Sequence, residues 1–152
     1  MTKKRRMLII GPSFRRNASR NLLPALERYD GISYRIARKH LRDVEDVSVV
    51  VMIDDLTLVN SDEPILYSEP EGGSWRHKTI SKDAVEKAKA INEGFLHKKL
   101  KNGKYREVFI SMGKEYAKAL PTLNQYGVKV VFPTHGGPGP KAQALKKWIG
   151  SA

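Results

Sequence analysis

The chain has no cysteine, which excludes disulfides, thiolate zinc sites and cysteine nucleophiles together. Any covalent chemistry must rest on Ser, Thr, Tyr, Lys or a carboxylate. Long hydrophobic runs are missing too. The apolar stretch behind the basic residues 1–6 stops at Ile10, before Gly11-Pro12, far short of a signal-peptide core or a membrane span. A cytoplasmic protein with no membrane partner is the expectation. Neither a Walker loop nor the dinucleotide glycine pattern occurs, which disfavours ordinary nucleoside-triphosphate and dinucleotide enzymes. The last absence is local: residues 43–75 hold no Lys or Arg, yet carry nine of the sixteen acids.

What remains is strongly basic, with 28 Lys and Arg and a formal charge of +12. A field of that sign favours anionic partners, and a nucleotide or nucleic acid is the expected ligand class. The 152 residues are enough for one core and too few for two ordinary domains. With 40% hydrophobic and 29% charged residues, the composition is that of a globular chain. Residues 1–6 read as a basic extension and residues 54–75 as an acidic surface excursion.

Met7-Leu-Ile-Ile reads as a first strand buried in a parallel sheet. Residues 31–41 place Ile32, Ile36, Ala37 and Leu41 at helical spacing, and residues 47–53 form an apolar second strand. Asp54 onward is rich in acids, Pro and Gly, with Ile65-Leu66-Tyr67 the one extended piece expected there. Ser81 is a good N-cap for a long helix whose apolar face is assigned to Ala84, Ala88, Ile91, Phe95 and Leu100, with Asn102-Gly103 as its stop. Residues 106–111 are a third strand, residues 113–120 a short helix, and residues 128–132 a fourth strand. A Gly/Pro loop then opens a helix over residues 141–149 with Ala142, Leu145, Trp148 and Ile149 inward. Alternating strands and helices predict a three-layer, Rossmann-like α/β domain with a mainly parallel sheet of four to five strands.

Ligands of such sheets sit outside the C-terminal strand ends, so the loops after each strand are the places for chemistry. The first offers Ser13 and Asn17 as hydrogen-bonding groups and Arg15 and Arg16 as forked phosphate donors. The third places Gly113 and Lys114 at a helix start, where free amides and an ammonium can meet an anion. The fourth, Thr134-His-Gly-Gly-Pro-Gly-Pro-Lys141, includes Gly137 and Gly139, which allow close backbone approach. His135 has no second ligand at metal spacing and reads as a polar surface residue of that loop. Asp54 and Asp55 follow the second strand and are the candidate catalytic carboxylates, able to act on water or a ribose diol. Tyr29 and Tyr67 each stand near a turn and are candidates to stack on a base. Each group also has a plain reading as a solvated loop residue or a loop anchor. No metal and no cofactor is expected.

The order of a first strand with a polar loop, then Pro24-Ala-Leu-Glu-Arg-Tyr-Asp-Gly31 before a helix, Pro64-Ile-Leu-Tyr67 in an acidic segment, and a Gly-rich loop before a Leu/Trp helix resembles the peroxide-stress YaaA-like family. The resemblance runs over residues 7–148. It implies Ser13, Tyr29, Gly31, Tyr67, Gly137 and Gly139 as motif positions, and an outline similar to base-handling folds of the uracil-DNA-glycosylase kind. Work on nucleobases or N-glycosidic bonds follows as an implication. The chain departs from the family after the second strand, where Ser-Ala-Lys-Tyr-Gly-Leu is replaced by Ile53-Asp-Asp-Leu-Thr-Leu58. The leading expectation is therefore a nucleotide- or nucleic-acid-directed protein processing an N-glycosidic bond. The alternatives are a non-catalytic nucleic-acid-binding module and a homodimeric scaffold in which one copy's acidic segment covers another's basic face.

Overall fold

The computed structural model describes residues 4–68, 80–134 and 136–151. Strand β1 (Arg5–Ile10) is parallel to β3 (Val47–Met52) on one side and to β6 (Tyr105–Ser111) on the other. Strand β7 (Lys129–Val131) extends the parallel sheet beyond β6, and β4 (Leu58–Asn60) pairs antiparallel with β3. The order β4-β3-β1-β6-β7 makes a five-stranded, mixed, mostly parallel sheet. In register, Leu8 lies between Val49 and Phe109.

The central strands are apolar on both faces because both faces are covered. Met7 and Ile9 join Val50, Met52, Val108 and Ile110 in one core beneath α3 (Lys82–Leu100), with Ala119 and Leu120 following α4 (Lys114–Ala117). Leu8, Ile10, Val51 and Phe109 point the other way. They pack under α2 (Ile32–His40) and α5 (Pro138–Gly150), where Tyr34, Ile36, Ala142, Leu145 and Trp148 close the second core. The expected α/β class and the helices flanking the sheet are as found.

Several local expectations need correction. Arg5 and Arg6 belong to β1 and not to an extension. Arg6 is buried because its guanidinium pairs with Asp46 and donates to the Trp148 and Ile149 carbonyls, tying β1 to the end of α5. The described part of the acidic segment, residues 54–68, is built into the fold through β4 and through β5 (Pro64–Ile65). The latter pairs with β2 (Leu23–Pro24), which leads into the single turn α1 (Ala25–Arg28). Pro70, Gly72, Gly73 and Trp75 lie outside the described residues.

Ser81 caps α3 as expected, accepting the Ala84 amide at 3.1 Å. The inward stripe differs: Ile91 is exposed while Asn92 is fully buried. Asn92 accepts the Leu58 amide and donates to the carbonyls of Leu56 and Ala119. These bonds fix the rotation of α3, and a pattern of apolar spacing does not register a polar residue as a core position. Helix α5 begins at Pro138, ahead of the expected Lys141, because proline needs no amide partner in a first turn.

Candidate functional site

From β1 the chain crosses to β3 on one side, while β6 and β7 lie on the other, so the C-terminal ends of β1 and β6 flank the switch point of the sheet. A cleft of about 870 Å³ opens there, lined from Ile10 to Arg15, Gly31 to Tyr34, Phe109 to Gly113 and the start of α5. Its floor is tight. The Gly11 amide donates to the Ser111 carbonyl at 2.9 Å, carrying the strand ladder into the loops. A Cβ on Gly11 would lie 2.4 Å from that of Met112, so only glycine lets the two loops meet.

The first loop is held as a second antiparallel ribbon. Arg16 bridges Tyr29, the Asp30 amide donates to the Arg15 carbonyl, and the Ser13 hydroxyl donates to that same carbonyl at 2.8 Å. A Cβ on Gly31 would stand 2.6 Å from Ser13 Oγ, which explains glycine where this loop crosses the start of α2.

The charged side chains among the described lining residues are both cations. No side chain caps α2 at Gly31, so the amides of Ile32, Ser33 and Tyr34 have no intrahelical acceptor, and these residues line the cleft. The Ser33 and Ser111 hydroxyls are 2.8 Å apart, joining α2 to the end of β6. Arg15 and Lys141 line the cleft, and neither side chain has a hydrogen-bond or ion-pair partner among the described residues. Helix α5 also starts at the cleft without a side-chain cap. Two of its first residues, Pro138 and Pro140, have no amide hydrogen, so α5 adds dipole more than donors. The Tyr34 hydroxyl donates to the Gly11 carbonyl at 2.7 Å, and burial holds its pKa well above the usual tyrosine value. Phe14, 43% exposed, and Ile32, 53% exposed, form apolar lips. No carboxylate is among the described lining residues.

Of the expected site residues, Ser13, Arg15, Gly31, Gly113 and Gly137 line this cleft. Arg16 does not. Its guanidinium clamps both oxygens of Asp54, at 2.7 and 2.8 Å, and also donates to Ser68. With its side chain only 7% exposed and lying over the Tyr29 ring, Arg16 fastens the loop after β1 to the loop after β3 and is not free to hold a phosphate. Asp54 is thereby a strap partner, while Asp55 accepts the amide and hydroxyl of Thr57 within its own turn. Neither carboxylate lines the cleft.

Tyr29 is 1% exposed and packs on Tyr34, so stacking on a ligand base is closed to it. Burial, reinforced by the Asp54 carboxylate, pushes its pKa up to about 12. Tyr67 is half-buried with the Arg28 guanidinium over its ring. Asn17 closes a turn by accepting the Ser19 amide. Lys114 begins the four-residue α4, and Gly139 lies inside α5; neither lines the cleft. His135 lies outside the described residues. Among the described residues no cluster of His, Asp and Glu could hold a metal ion, and no helix is long and apolar enough to cross a membrane.

Sequence reasoning missed the start of α2. Ile32, Ser33 and Tyr34 entered only as helix residues. The available signal was Gly31 in the N-cap position, where a Ser, Thr or Asp would have occupied the amides that remain open. Comparison with family models, with curated proteins and with solved structures finds no match, so the resemblance to the peroxide-stress family rests on its short motifs alone.

Proposed function

We propose that the chain binds a nucleotide through its phosphate in the cleft between β1 and β6. The observation that carries this reading is the pairing of Arg15 and Lys141, both without partners among the described residues, with the open amides of Ile32 to Tyr34 at a sheet switch point. A phosphate takes several charge-assisted bonds at once, which this arrangement supplies. The apolar lips Phe14 and Ile32 suit the face of a base or sugar beside it.

The described lining contains no carboxylate, so cleavage of an N-glycosidic bond by a cleft general base is not part of the proposal. With Asp54 clamped by Arg16, the departure from the YaaA-like pattern after β3 marks a structural strap.

Thermal shift with a nucleoside monophosphate, the matching nucleoside and inorganic phosphate tests the reading. A monophosphate at tenfold its Kd stabilises by about 1.4 kcal/mol, a shift of about 4 °C for a chain of this size. The nucleoside is expected to give much less, and Arg15→Ala or Lys141→Ala to remove most of the difference. Equal shifts from nucleoside and monophosphate would overturn the reading.

A further inference from the structure

The cleft opens onto two helices that carry charge of one sign. Helices α2 and α5 both start at the cleft, pack against each other and run away from it on the same face of the sheet. Helix α2 carries Arg35, Arg38, Lys39 and His40 and no acid. Helix α5 carries Lys141, Lys146 and Lys147, and no Asp or Glu follows Glu115 anywhere in the chain. Of the acids beside them, Asp30 is already bound by Arg35 and Arg38, Glu107 accepts the Trp148 indole of α5, and Glu27 stands exposed on α1. The opposite layer is mixed, since α3 intersperses Asp83, Glu86 and Glu93 among its lysines. Basic charge unmixed with acid therefore lies along the helices to which the cleft leads.

A free mononucleotide would not use such a ridge. The nine residues of α2 span about 14 Å at ~1.5 Å each, room for more than one phosphate beyond the cleft, since successive phosphates of even a stacked strand rise by ~3.4 Å. The exposed Phe14 at the cleft mouth offers a face to an unstacked base, which a single strand provides and a duplex does not.

We infer that the ligand is a single-stranded nucleic acid whose terminal phosphate enters the cleft while its backbone follows the basic α2 and α5 surface. This rests on the phosphate-binding reading of the cleft and adds the polymer to it. The exposed side chains of Lys39, Lys146 and Lys147 are the phosphate contacts along the ridge.

The test measures binding of 5′-phosphorylated and 3′-phosphorylated oligomers of about ten nucleotides, as DNA and as RNA, beside a nucleoside monophosphate, over a salt series. It compares wild type with a ridge variant, Lys39→Ala with Lys146→Ala and Lys147→Ala. A control variant removes the same charge from exposed positions of α3, with Lys87→Ala, Lys89→Ala and Lys98→Ala. Wild type is expected to prefer an end-phosphorylated oligomer over the monophosphate. Losing three contacts, at ~0.7 of a decade each, lowers oligomer affinity by about 100-fold near ~0.1 M salt and cuts the salt slope by about 2. The ridge variant keeps wild-type monophosphate binding, and the control keeps oligomer binding within about threefold. Equal losses in the two variants, no preference for the oligomer, or equal binding to anionic lipid vesicles overturns the ridge while leaving the cleft reading intact. Failure of both monophosphate and oligomer to bind overturns the cleft reading and the ridge with it.

Discussion

Removing the carboxylate charge of Asp54 separates a strap from a catalytic base. Both Asp54 oxygens are held by Arg16 NH groups at 2.7 and 2.8 Å, and Ser68 Oγ stands 3.2 Å from one of them. In Asp54→Asn the Arg16 guanidinium, on a side chain only 7% exposed, keeps its charge and loses its counter-charge. A fully buried pair broken this way costs about 3–5 kcal/mol, whereas an exposed one costs about 0–1. Asp54 is 45% exposed, so solvent screens the change and the expected loss lies between, at about 2 kcal/mol. Arg16→Leu also loses its contact with the Tyr29 ring and is expected to cost slightly more. Urea denaturation of the two single variants and the double variant gives the cycle, with an expected coupling of about 1.5 kcal/mol and unchanged m-values. Nucleotide affinity of folded Asp54→Asn should stay within about twofold of wild type. Wild-type stability together with lost binding or turnover would refute the strap and place Asp54 in the chemistry.

Asn92→Ala orphans the Leu58 amide and the Leu56 and Ala119 carbonyls in a dry core, and is expected to cost about 4 kcal/mol by urea denaturation. A loss below about 1 kcal/mol would mean that those groups find other partners. Tyr29, raised from 10.0 to about 12, stays protonated in the folded chain while the unfolded chain ionises. Its contribution is thus complete below pH ~10 and lost as pH rises toward ~12, by about 3 kcal/mol in total. Tyrosinate absorbance and unfolding followed together should show Tyr29 ionising with the loss of structure. Early ionisation in a folded chain would contradict its burial.

The fold was legible because Met7 to Ile10, Val49 to Met52 and Val108 to Ile110 are short, apolar on successive residues and separated by turn and helix signals, as strands covered on both faces are. The rule of strand ends pointed to the loops after β1 and β6, which line the cleft. Side-chain pairing was not. Arg15 and Arg16 are adjacent and chemically identical, yet one faces the cleft and the other is locked to Asp54, a residue 38 positions away. Tyr29 reads as a stacking surface or, more readily, as a loop anchor, and its packing on Tyr34 decides for the anchor. Asn92 was invisible for the same reason, since its three partners, Leu56, Leu58 and Ala119, are distant in sequence.

Phosphate binding at the cleft is tested most directly by amide chemical shifts of the labelled chain as a nucleoside monophosphate is added. The amides of Ile32, Ser33, Tyr34 and Gly113 are expected to move together and saturably, with little change on α3. Saturable binding whose shifts map to α3, or no shift at the start of α2, would contradict it.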